Sequence, residues 1–213
     1  MRPASSCTGQ TSEQKVDGGS SRLALIGAAG SIALVAAIPG VRRLLQLGDA
    51  IASRSKAQDA AILQLVLQLE YTQVAFYEEA LQRAGLMGDL RDFARIALEH
   101  ERQHLAAIQK ALGAKARAKP TFDFGDRTKD RAAFTRAAID LEDAAVAGYN
   151  GQATNLTKRT LAAAAEIVSV EARHAAWIRA IDDQVAAPDP VDKPLTAKQT
   201  ARRLQRIGLK AAR

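Results

Sequence analysis

Cysteine is nearly absent from this chain. Cys7 is the only one, so no intrachain disulfide can form. It stands upstream of the most apolar stretch rather than just after it, which is not the place of a lipid-attachment cysteine. An apolar run of full membrane length is lacking too. The sixteen residues from Leu23 to Ile38 carry no charge. As a helix they would reach about 24 Å, short of the roughly 30 Å of a hydrocarbon core. They suit the apolar region of an export signal better than a complete span. An uncleaved anchor, with membrane association through residues 23–38, is the second reading, and a buried helix the third. Ser21-Arg22-Leu23 has half of a twin-arginine signal, with one arginine missing, and the small-x-small triplet Ala50-Ile51-Ala52 lies far downstream.

A basic face on the folded part is also missing. The net charge of +7 divides unevenly: residues 1–58 carry +4, residues 59–185 carry −2 and residues 186–213 carry +5. The basicity sits in the tails, which excludes a specific nucleic-acid surface on the central region. Histidine is scarce, with only His100, His104 and His174.

What the chain does have is a duplicated motif. Glu101-Arg102-Gln103-His104 and Glu171-Ala172-Arg173-His174 are two copies of Glu-x-x-His, 70 residues apart. Each follows a lone glutamate, Glu70 or Glu142, set in an apolar helical stripe. The duplication runs past these residues. Leu69-Glu70-x-x-x-Val74-Ala75-x-Tyr77 recurs as Leu141-Glu142-x-x-x-Val146-Ala147-x-Tyr149, and Glu101-x-x-His104-x-Ala106-x-Ile108 as Glu171-x-x-His174-x-Ala176-x-Ile178. The repeating unit is a helix pair. One pair cannot bury its own apolar face, so two are expected to pack together.

The periodicity predicts four helices, over about 57–84, 89–112, 129–154 and 158–185. Asp89 is the expected N-cap of the second, and Gly113 ends it. Gly148 and Asn150-Gly151 are expected to kink the third or end it early. Pro188 and Pro190 close the domain. The long link over 114–128, between two pairs with short links of their own, predicts an all-α four-helix bundle with a central crossover. Residues 1–57 read as a leader whose Ser- and Gly-rich start is disordered, 58–186 as the bundle, and 187–213 as a basic tail. That tail holds a short peripheral helix from near Thr196, with Leu204, Ile207 and Ala211 on one side.

Glu at i and His at i+3 share one helix face, so one helix can offer both to one centre. Four carboxylates and two imidazoles from four helices make a ligand set for two Fe(II) or Mn(II) ions. Glu101 and Glu171 are placed to bridge, with Glu70 and His104 completing one ion and Glu142 and His174 the other. Without cations, four clustered carboxylates would repel and some would take up protons. Tyr77 and Tyr149 follow their glutamates by two turns, so each metal-facing Glu should have a tyrosine above or below it on its own helix. They are either neighbours of the site or core tyrosines. His100 lies off the inward line and reads as an outer neighbour or a surface residue.

His100-Glu101-x-x-His104 is also a literal HExxH, the pattern of zinc hydrolases. The second copy has Val170 in place of His100, no third histidine follows, and Glu70 and Glu142 would have no role. The favoured reading is a metal-dependent redox protein that reacts with dioxygen or peroxide, as a ferroxidase or a peroxide scavenger. The alternatives are a non-enzymatic metal-binding or stress-protection bundle and, least favoured, the zinc hydrolase. A homo-oligomer stays open.

Leu67-Gln68-Leu69-Glu70-x5-Phe76-Tyr77-Glu78-Glu79-Ala80-Leu81, followed by His100-Glu101-x-x-His104, resembles the bacterial ferritin-like domain proteins related to desiccation-associated proteins. Asp192-Lys193-Pro194-Leu195-Thr196 is similar to the tail of that family. The resemblance covers about residues 58–186. It implies a ferritin-like bundle, a di-iron site on the six residues named, and an exported or cell-envelope location. It supplies no reaction.

Overall fold

The computed structural model describes residues 54–210. Five α-helices carry it: α1 Lys56–Arg83, α2 Gly88–Leu112, α3 Arg131–Ala153, α4 Lys158–Ile181 and α5 Ala197–Ile207. The predicted all-α architecture is present, with the long crossover between α2 and α3. Residues 1–53 of the leader, with its apolar segment 23–38, lie outside the described residues, as does Ala211. Among the described residues no helix is long and apolar enough to cross a membrane.

Side-chain pairing gives the helix directions. Gln109 of α2 donates to the Tyr71 hydroxyl of α1 at 2.9 Å, and Arg102 to Glu78 at 3.0 Å. Numbers that rise on one helix fall on the other, so α1 and α2 are antiparallel. The short connection after Ala153 turns α4 back along α3 in the same way.

Most of the few aromatics are gathered at one end of the bundle. Phe76, Tyr77, Phe93, Phe124 and Phe134 are all fully buried. Phe76 stacks on Phe134 at 5.6 Å and meets Phe124 edge-on at 5.4 Å; Phe93 meets Trp177 edge-on at 5.2 Å. Interlocked rings fill space densely and fix the helices against one another. The opposite end, where α1 begins and α2 ends, has no such cluster.

At that opposite end the helices are tied by a polar contact. Asp59 of α1 is buried and accepts from the Thr157 amide at 2.9 Å and from the Thr157 and Thr160 hydroxyls at 2.5 Å each. Thr157 is the N-cap residue of α4, so a carboxylate from another helix satisfies that helix start. Burial pushes the Asp59 carboxyl up, but the bonds from Thr157 and Thr160 together hold it below its ordinary value. A depressed carboxyl stabilises above the unfolded pKa of about 4, and that gain is lost as pH falls through the folded value. Asp59→Ala should therefore lower stability by about 1–3 kcal/mol at neutral pH. Urea unfolding should show the gap to the unaltered protein closing below about pH 4.

Four expectations need correcting. Met87, not Asp89, is the N-cap of α2; it gives no side-chain bond, and Asp89 lies in the first turn, where its charge suits the helix dipole. The second is α4, which stops at Ile181 rather than Val185, with Asp183 at a φ of 53° just beyond. Third, the glycines of α3 do not end it early, since the helix runs on to Ala153. A Cβ on Gly151 would lie 1.7 Å from the Leu195 carbonyl oxygen, and one on Gly148 3.0 Å from Leu69 and Thr200 atoms. They are the landing strip for the C-terminal segment, and Leu195 N–H donates to the Ala147 carbonyl at 2.9 Å.

That segment is the fourth correction, because α5 is not a peripheral piece of a basic tail. Thr200, Leu204 and Ile207 are buried, and Arg203 binds Asp140 of α3 through two nitrogens, at 2.5 and 2.9 Å. An antiparallel bridge between Phe122 and Leu209 clips the chain end to the crossover. The amphipathic stripe of α5 thus packs on the bundle, and Lys198, Arg202 and Arg206 face outward.

Candidate metal centre

Each of the four long helices brings one carboxylate to the bundle axis. Glu70 comes from α1, Glu101 from α2, Glu142 from α3 and Glu171 from α4, and all four are 0% exposed. His104 and His174 join them from α2 and α4. Their donor atoms fall into two sets of four, each lying within 4.8 Å of one another. One set is Glu70, Glu101, His104 and Glu171; the other is Glu101, Glu142, Glu171 and His174. Glu101 and Glu171 belong to both, the placement expected of bridging carboxylates.

Several of these atoms aim at shared points rather than at each other. Glu70 Oε2, Glu101 Oε1, Glu171 Oε1 and His174 Nδ1 are buried without a hydrogen-bond partner. His174 Nδ1 is 2.9 Å from Glu101 Oε1, yet the two are not aligned as donor and acceptor. His104 Nδ1 lies 2.9 Å from both Glu101 Oε2 and Glu171 Oε1, and one N–H cannot serve both fully. Two atoms that each sit about 2.1 Å from one ion, near a right angle, stand roughly 3 Å apart. Buried polar atoms left unpaired are costly and call for an ion or a similar partner. The oxygen-rich, imidazole-containing set fits divalent iron or manganese.

Electrostatics agree. Among the described residues no Lys or Arg pairs with these four glutamates. Burial, with the Glu101 charge added, pushes Glu70 up to about 7 against the pull of His104. Burial and then the Glu101 charge hold Glu171 well above the carboxylate range. Burial opposes charge on His104, but bonds from Glu101, Glu171 and Glu70 raise it to about 12. Burial likewise opposes His174, and Glu101 with Glu142 raises it to about 10. Glu101 is resisted by burial too, yet the two imidazoles bring it down to about 2. Left to itself, then, the cluster balances its carboxylates with protons.

The surrounding shell was only partly legible beforehand. The Tyr149 hydroxyl donates to Glu70 Oε1 at 2.5 Å, and the Tyr77 hydroxyl donates to Glu142. Each tyrosine therefore serves the glutamate of the facing helix, not its own. Because α1 and α3 run antiparallel, Tyr149 stands opposite Glu70 and Tyr77 opposite Glu142. Burial first, then the nearby glutamates, raises both phenols well above their ordinary value, so both remain donors.

Gln73 went unnoticed in the sequence. It is fully buried, and its Nε2 donates to Glu171 at 2.7 Å and Glu142 at 3.3 Å. Its signal was present, since Glu70-x-x-Gln73 has the same three-residue step as Glu-x-x-His. The duplication hid it, because Ala145 occupies the equivalent place in the second half.

His100 belongs to neither donor set. Its Nδ1 lies 2.9 Å from His174 Nε2, and the rings stack at 5.2 Å and 10°. Burial, then the nearby His174, depresses its pKa, so a neutral His100 accepts from His174 N–H. The two histidines of the HExxH string therefore do not converge, which removes the geometric basis of the zinc-hydrolase alternative. His104 has no matching brace, because Val170 stands where the repeat would place one. A surface pocket of about 440 Å³, lined by His100, Gln103, His104, Val170, Arg173, His174 and Trp177, opens over this edge.

The sequence model of the ferritin-like domain matches residues 58–184, a span that holds all six converging side chains. No curated protein matches the chain. Fold, buried Glu/His cluster and family match agree: the chain belongs to the ferritin-like domain family.

Proposed function

We propose that this protein holds two iron or manganese ions on Glu70, Glu101, His104, Glu142, Glu171 and His174, and uses them in redox chemistry with dioxygen or peroxide. The observation that carries the reading is the set of buried donor atoms lacking partners, arranged as two groups sharing two carboxylates. Two adjacent redox-active ions, when bound, supply two electrons to one small acceptor. The chain supplies everything else. Tyr149 and Tyr77 orient Glu70 and Glu142 and keep their own protons. Gln73 orients Glu171. The aromatic end seals one side of the site from water, and the pocket beside His104 supports passage for a small oxidant. The apolar segment 23–38 supports an exported or envelope-associated protein.

The test is consumption of dioxygen and of peroxide by the full chain after anaerobic loading with Fe(II). Turnover above free iron is expected. Metal retained without turnover would leave a non-enzymatic metal-binding bundle.

The one-sided brace makes the two positions inequivalent. A hydrogen bond to the outer nitrogen of a ligating imidazole typically carries 10–100-fold in affinity. His100→Val should weaken one of the two binding steps by about that factor and spare the other. Stepwise Fe(II) or Mn(II) titration reads this directly.

A further inference from the structure

The bundle end opposite the aromatic cluster holds a second cavity, of about 620 Å³. That falls within the roughly 300–1,000 Å³ typical of small-molecule pockets. Its walls are largely apolar and come from all four long helices, among them Leu63, Val66, Ile108, Ala163, Ala164 and Ile167. Alanines here leave the volume that rings fill at the other end. Its inner wall includes Tyr149, the residue that donates to Glu70.

The mouth differs from the walls. Lys56, Lys115 and Arg159 line it, and among the described residues none of the three makes an ion pair. The one carboxylate there, Asp59, already accepts three hydrogen bonds from Thr157 and Thr160. The pocket thus offers an apolar interior and an uncompensated cationic rim. Apolar burial favours an alkyl body, and charge-assisted bonds at the rim favour an anionic head.

We propose that this cavity binds one amphiphilic carboxylate, with its alkyl chain between α1, α2 and α4 and its head at Lys56, Lys115 and Arg159. From Lys56 to Val66 the helix rises about 15 Å, room for a medium-length chain. The site does not depend on metal binding by the six-residue cluster.

The probe is dodecanoate, added below its micelle concentration to the full chain and followed by calorimetry. Dodecanol and dodecylammonium serve as neutral and cationic controls. Dodecanoate should bind with a stoichiometry of about one, about tenfold tighter than dodecanol, and dodecylammonium more weakly still. Lys115→Glu with Arg159→Glu, both exposed, should remove the preference for the carboxylate. Ala163→Trp should fill the cavity and abolish binding while the helical spectrum is unchanged. Binding should persist in Glu70→Gln, which separates this site from the metal centre. Equal binding of all three amphiphiles, no binding to the full chain, or indifference to the charge reversal would each overturn the proposal.

Discussion

Glu171→Ala should retain less than one metal ion per chain, against about two in the unaltered protein. Glu171 belongs to both donor sets, so its loss removes an oxygen from each. Glu101→Ala should behave alike for the same reason. Loss of an outer carboxylate has a narrower reach, because Glu70 and Glu142 each belong to one set. Glu166→Ala is the control, an exposed glutamate on the same helix as Glu171. Elemental analysis after anaerobic Fe(II) loading and desalting gives the numbers. The fold should survive. Among the described residues no Lys or Arg pairs with Glu171, whose one ion-pair contact is His104, so the substitution leaves no such cation buried alone. What it strands is the Gln73 amide and one contact of His104, at about 1–3 kcal/mol.

Metal removal should lower the midpoint of thermal unfolding by about 10 °C at neutral pH. An ion present at a thousand times its dissociation constant stabilises by about 4 kcal/mol, and a domain of this size shifts by a few degrees per kcal/mol. The sign of the pH dependence follows from the cluster. His104 is raised to about 12, His174 to about 10 and Glu70 to about 7, so the ion-free form binds protons that loading must expel. Lower pH favours the proton-held form. The gap between loaded and chelated protein should therefore be largest above pH 7 and shrink as pH falls below it. Circular dichroism melts with and without chelator, across that range, measure it.

The convergence of six side chains was legible because it obeys simple arithmetic. Steps of three along a helix put Glu101 with His104 and Glu171 with His174, and a second copy made coincidence implausible. The four-helix architecture followed from the same duplication and one long link. What lay beyond was set by contacts between helices, which periodicity along one helix does not encode. The tyrosines illustrate this: a two-turn step predicts a same-helix neighbour, whereas the hydroxyls bond across to the antiparallel helix. Gln73 was obscured because it lacks a counterpart in the other half; His100 lacks one too, yet it read as an outer neighbour of the site and is one, against His174. They are the asymmetric additions to a symmetric frame. Gly148 and Gly151 read locally as helix breakers, yet their cause is distant in sequence, in Leu195 and Thr200 arriving from the chain's end.

The most direct test of the central claim is an anomalous difference map from crystals of the metal-loaded protein, recorded on both sides of the iron or manganese edge. Two peaks inside the cluster, both touching Glu101 and Glu171, with one near Glu70 and His104 and the other near Glu142 and His174, are the predicted result. A single peak held by His100 and His104, or loaded crystals with no peak among the four glutamates, would contradict it.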